Sequence, residues 1–129
     1  MPFSIQWDNV DKTIIYIRYE HWTWDDFYNA VKASTDLSLT VEHPVDIIAH
    51  LADSVIPQGS AFSHSGAALK QDNKKLGLIV VVTSNRFILS LMQVSSRIVP
   101  GWQNKYRMSS TLEKARELIA NERQKSTAV

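Results

Sequence analysis

The run Leu78-Ile79-Val80-Val81-Val82 constrains the fold more than any other feature of this chain. An uninterrupted apolar segment leaves neither face of a strand suited to water, so it belongs in the middle of a sheet. The other candidate strands alternate. Phe3, Ile5 and Trp7 interleave with Ser4, Gln6 and Asp8, the period-two pattern of a strand with one buried face. After the turn residues Asp8-Asn9-Val10-Asp11 comes Thr13-Ile14-Ile15-Tyr16-Ile17-Arg18-Tyr19, rich in β-branched and aromatic side chains, which predicts an antiparallel hairpin. Val45, Ile47, Ala49 and Leu51 mark a third strand, and Tyr106 and Met108 a short last one.

Helices are expected between and after these strands. Thr23 and Asp26 resemble a capping box, with Trp22 and Phe27 at the staple positions and Trp24, Phe27, Tyr28 and Val31 as the apolar stripe. Ser60 is read as the cap of a second helix reaching about Gln71. Ser84 or Asn85 caps a third, whose Phe87, Leu91, Val94 and Ile98 are expected to be core, and Pro100-Gly101 ends it. Ser110-Thr111-Leu112-Glu113 reads as the capping box of a last helix that buries Leu112, Ala115, Leu118 and Ile119.

The order β-β-α-β-α-β-α-β-α implies βαβ crossovers and an α/β fold with a mostly parallel five-stranded sheet. Ser4, Gln6, Arg18, Asp46, His50, Lys105 and Arg107 would sit awkwardly under a helix, so the helices are expected mainly on one face. The opposite face would then expose Ile14, Tyr16 and Ile48 as an apolar strip with a polar rim, the make-up of an interface, and a two-fold homodimer through it is expected. One domain over residues 1–122 with a flexible tail over 123–129 is the expected organisation.

Composition narrows the function classes. A formal net charge of +1 with scattered lysines and arginines argues against a nucleic-acid partner. The absence of cysteine excludes disulfides, thiolate catalysis and the common zinc ribbons. No basic start followed by an apolar run opens the chain, and the longest apolar stretch is far too short to span a bilayer. A cytoplasmic location without membrane insertion is the expectation.

Trp22-Thr23-Trp24-Asp25-Asp26-Phe27 and Ser110-Thr111-Leu112-Glu113-Lys114-Ala115, together with the hairpin and the βα units that follow it, resemble small stand-alone members of the STAS family (sulfate transporter and anti-sigma factor antagonist). The resemblance spans roughly Phe3 to Ile119. It implies a non-enzymatic regulatory or docking module with a protein partner and no cofactor. In anti-sigma antagonists a kinase phosphorylates a serine in an Asp-Ser-Ser-Gly-like motif. Asp53-Ser54 falls at the matching loop, but Val55-Ile56-Pro57 follows it instead of serine and glycine.

Beyond the carboxyl ends of the strands the chain gathers His21, Asp53, Ser54, Thr83, Ser84, Asn85, Arg86, Ser109 and Ser110, with Trp102 in a nearby loop. Such an edge suits a small apolar or anionic ligand, the second functional reading; helix capping accounts for the same residue types. A hydrolase built from Ser54 or Ser60, His50 or His64 and Asp53 is a third reading, but no nucleophile elbow is present. His21, His43, His50 and His64 lack the spacing of a metal motif, so no metal site is expected.

The altered motif generates a first prediction. Ser54 carries no stoichiometric phosphate in the native host, as phosphoproteomics would show; a stoichiometric phosphoserine there would contradict it.

Overall fold

The computed structural model describes residues 3–52, 76–98 and 105–127. The two alternating segments at the start form β1 (Phe3–Trp7) and β2 (Ile14–Tyr19), joined by a turn in which Lys12 takes a left-handed φ of 57°. Asn9 holds that turn: its Oδ1 accepts from the backbone N–H groups of Thr13 and Ile14, and its Nδ2 donates to Thr13 Oγ1 at 2.6 Å. Three more strands follow, β3 (Val45–Leu51), β4 (Leu76–Val82) and β5 (Tyr106–Ser109), in one sheet of order β1-β2-β3-β4-β5. The β1/β2 ladder is antiparallel, and the β2/β3, β3/β4 and β4/β5 ladders are parallel.

This order places the helices. Parallel strands that step in one direction through right-handed crossovers keep their connecting helices on one face. Helix α1 (Trp24–Ser38) links β2 to β3, and helix α2 (Arg86–Ile98) links β4 to β5. Both meet the same cluster of Ile15, Ile17, Tyr19, Val45, Ile47 and Leu51, α1 through Ala30 and Trp24, α2 through Ile88 and Met92. The capping box of Thr23 with Asp26 is present in both halves, and the Trp22 and Phe27 rings lie 6.2 Å apart as a staple. The most deeply buried seam of α1 is Ala30, Ser34 and Ser38, small residues one turn apart that let the helix approach the strands closely. Ser34 and Ser38 are satisfied within the helix, donating to the carbonyls of Ala30 and Thr35.

Helix α3 (Leu112–Thr127) follows the last strand, so no crossover rule binds it, and it lies on the other face. There it covers Ile14, Ile48, Leu78, Val80 and Val82 with Ala115 and Ile119. The expectation that the second face is partly open along Ile14, Tyr16 and Ile48 is thereby corrected. Ile14 and Ile48, expected on an open interface strip, are 8% and 0% exposed, and Tyr16 packs half-buried beside them. Two of the polar residues expected to sit awkwardly under a helix, Asp46 and Arg107, are its ionic partners. Arg123 binds Asp46 Oδ2 at 2.7 Å, and Glu122 pairs with Arg107 at 3.6 Å. Arg116 grips Asp8 with two bonds of 2.7 and 2.9 Å. Helix α3 runs to Thr127.

A second correction concerns α2. Ile88 and the half-buried Met92 face the sheet, whereas Phe87, Val94 and Ile98, expected in the core, are 60%, 45% and 60% exposed. The helix carries two apolar stripes, and only one can face the strands. The helix expected from Ser60 to Gln71 lies outside the described residues.

Trp22 sits at the centre of an aromatic group, 5.3 Å from Tyr19 and 5.1 Å from Trp24 between ring centroids. Trp24 is half-buried. Removing a buried tryptophan leaves a large cavity, so Trp22→Ala is expected to cost about 3–5 kcal/mol. Trp24→Ala should cost less. Urea unfolding of both variants checks the order, and a larger loss at Trp24 would reverse the assignment of the anchor.

Candidate functional site

The strand registers pair Tyr19 with Leu51, His50 with Val82 and Val82 with Ser109, so β2 to β5 end along one edge. His21, Ser84, Asn85 and Arg86 belong to this edge. Asp53, Ser54 and Trp102 lie outside the described residues, as do Ser60 and His64 of the hydrolase reading. His21 is exposed and adopts a left-handed φ of 48°, turning the chain out of β2 towards Trp22 and the α1 cap.

Much of the polarity at this edge is engaged in caps and turns. Asn85 Oδ1 accepts from the N–H groups of Phe87 and Ile88, so Asn85 is the N-cap of α2. Thr83 Oγ1 accepts from Asn85 N–H at 3.1 Å. Ser109 Oγ donates to the Thr111 carbonyl at 2.6 Å and accepts from Thr111 N–H. Thr111 Oγ1 accepts from Lys114 N–H, so Thr111 is the side-chain cap of α3, one residue later than the expected box. With Lys114 three residues on, the returning half that a glutamate would supply is missing.

A different group stands on the α3 face of the sheet. Ser4, Arg18 and His50 are register partners on β1, β2 and β3, and they share this face with Tyr16 and Ile48. Tyr16 Oη and His50 Nδ1 are 2.6 Å apart. Burial pushes the Tyr16 phenol up, with Asp8 adding to the rise and Arg18 and Arg116 opposing it. The phenol therefore remains a donor at neutral pH. The contact fixes the orientation of the His50 ring, and the imidazole tautomer sets which partner donates. Burial and then the Arg18 charge hold the His50 imidazole below its usual pKa. Arg18 is exposed and reaches Glu20 at 3.4 Å, a loose surface pair.

The Tyr16–His50 contact joins residues 34 positions apart, and no local motif signals it. Its one sequence cue is that 16, 18, 48 and 50 share a parity that a parallel pairing of β2 and β3 brings onto one face. The outward stripe of α2 was visible as a pattern, since Phe87, Val94 and Ile98 stand seven and then four residues apart. Which of the two stripes faces the sheet is decided by tertiary packing.

The chain matches no family model, no curated protein and no solved structure. Among the described residues no helix is long and apolar enough to cross a membrane.

The depressed His50 pKa has a consequence for stability. The unfolded chain takes up this proton at higher pH than the folded one, so the native state loses stability as pH falls from about 6.5 towards the folded value. Above that window the imidazole is neutral in both states and contributes no loss. Urea midpoints measured between about pH 5 and pH 7 should fall on acidification in the wild type and fall less in His50→Gln. Equal slopes in the two proteins would contradict the assignment.

Proposed function

We propose that this protein is a non-enzymatic interaction module of STAS-like type whose docking element is the outer face of α2. The observation that carries this reading is the exposed stripe Phe87, Val94 and Ile98. At about 100° per residue the three positions fall within about 20° of one line along the helix. Exposed apolar side chains aligned in this way mark interaction sites more often than scattered ones. Arg86 and Arg97 flank the stripe on the side away from Ile88, and α2 contains no acidic residue. The complementary partner is a protein that presents an apolar strip edged by carboxylates.

A second copy of the chain fits less well. In an antiparallel pair about a two-fold axis, Arg86 of one protomer would meet Arg97 of the other, and like charges in register disfavour pairing. The homodimer expected through Ile14, Tyr16 and Ile48 loses its surface, because α3 covers that part of the sheet. The STAS-like assignment draws support from the hairpin and from a sheet whose strands follow chain order. The non-enzymatic reading draws support from Thr83, Asn85, Ser109 and Thr111, whose polar groups are engaged in caps and turns.

A photo-crosslinker at position 94, used in host extract, tests the reading. The expected product is a heterologous protein joined through an apolar segment with acidic flanks, lost in Phe87→Glu and in Ile98→Glu. Both substitutions are on the surface and should change stability by no more than about 0.5 kcal/mol. Crosslinks only to further copies of the chain, or a crosslink unaffected by either glutamate, would overturn it. A small molecule retained in native mass spectrometry, with no crosslinked protein, would favour the carrier reading.

A further inference from the structure

We propose that the row Ser4, Arg18 and His50 on the second face of the sheet binds the phosphate group of a small phosphate monoester. The site is separate from α2, which packs on the opposite face. Its geometry comes from strand register. Arg18 is the direct neighbour of Ser4 on β1 and of His50 on β3, so guanidinium, hydroxyl and imidazole point from three adjacent strands to one side. Helix α3 covers the β3 and β4 part of this face, while Ser4, Gln6 and Arg18 remain exposed and His50 is half-buried.

The chemistry is one of donors. Arg18 offers a planar fork that matches two phosphate oxygens. The Tyr16 contact orients the His50 ring; with the phenol donating to Nδ1, the imidazole carries its proton on Nε2 and can donate there whether it is neutral or charged. Ser4 supplies a hydroxyl beside Arg18. The surrounding charges are largely spoken for. On the β1 side Asp8 is gripped by Arg116 of α3, Glu113 lies near Arg116, and from β4 the register partner of His50 is the apolar Val82. Glu20 remains as a loose competitor for Arg18. Arg18 and a protonated His50 repel each other, and a bound dianion converts that repulsion into two attractions. A monocarboxylate offers half the charge and one plane of oxygens, so phosphate is the better match.

The test follows the His50 ring resonances of the full chain by NMR, with inorganic phosphate as the probe and acetate at equal ionic strength as the comparison. Phosphate should shift the resonances saturably and raise the His50 pKa well beyond the rise that acetate gives. Arg18→Gln should weaken phosphate binding at least about tenfold, while Glu20→Gln should tighten it about two- to threefold by removing the competitor. No saturable shift, an equal response to acetate, unchanged binding in Arg18→Gln, or weaker binding in Glu20→Gln would each overturn the proposal.

Discussion

Asp46 is the joint on which the two-faced architecture depends. Its Oδ1 accepts from Leu78 N–H at 2.7 Å, across the point where the β3/β4 register shifts between Val45 and Ile47. Its Oδ2 binds Arg123, whose guanidinium also donates to the Thr13 carbonyl at 2.8 Å and to Thr13 Oγ1 at 3.0 Å. One carboxylate thus repairs a ladder irregularity and ties the end of α3 to β2, β3 and β4 together. The Asp46 side chain is only 15% exposed, and a carboxylate taken that far from water is tolerated when charge and hydrogen bonds are both supplied. The joint also explains Gly77. A Cβ there would run into Asp46 Oδ1, so any side chain at 77 would displace the carboxylate from its two partners.

Among the described residues it is α3 that closes the second face. The crossover helices α1 and α2 are committed to the first face by the handedness of their connections. Among the described residues only α3 is free to cover the other, and its buried apolar contribution is narrow, centred on Ala115 and Ile119. Ion pairs at Asp8, Asp46 and Arg107 then set where the helix lies. Because these anchors cluster towards the amino-terminal ends of the parallel strands and on β5, the row through Ser4, Arg18 and His50 stays accessible.

The strands, the hairpin and the α1 cap were legible because their signals are local. Thr23 and Asp26 are three residues apart, and Phe3, Ile5 and Trp7 follow each other at period two. The position of α3 was not legible for the opposite reason. Asp46 and Arg123 are 77 positions apart and Thr13 and Arg123 are 110 apart, and each of these residues taken alone reads as a surface polar group. Alternation reports that a residue avoids an apolar core; it does not say whether water or a counter-charge takes its place. The uninterrupted run Leu78 to Val82 was the better guide, since it demands cover on both faces. In the candidate site the capping residues were readable as a class, whereas the Tyr16–His50 contact depends on the β2/β3 register.

The α2 stripe and the polar row differ in kind, and the difference follows from how each face is closed. On the first face cover comes from apolar packing, so α2 presents Ile88 and Met92 inward and its surplus apolar stripe outward. On the second face cover comes from a helix held by charge, so what lies beyond its reach is polar: Ser4, Gln6, Arg18 and His50. An apolar stripe with basic flanks suits a large, shape-matched partner, where the area buried supplies affinity. A short row of hydrogen-bond donors suits a small charged group, where geometry matters more than area. The central sheet separates them, with Ile48 and Val80 wholly buried on the second face and Ile15 wholly buried on the first.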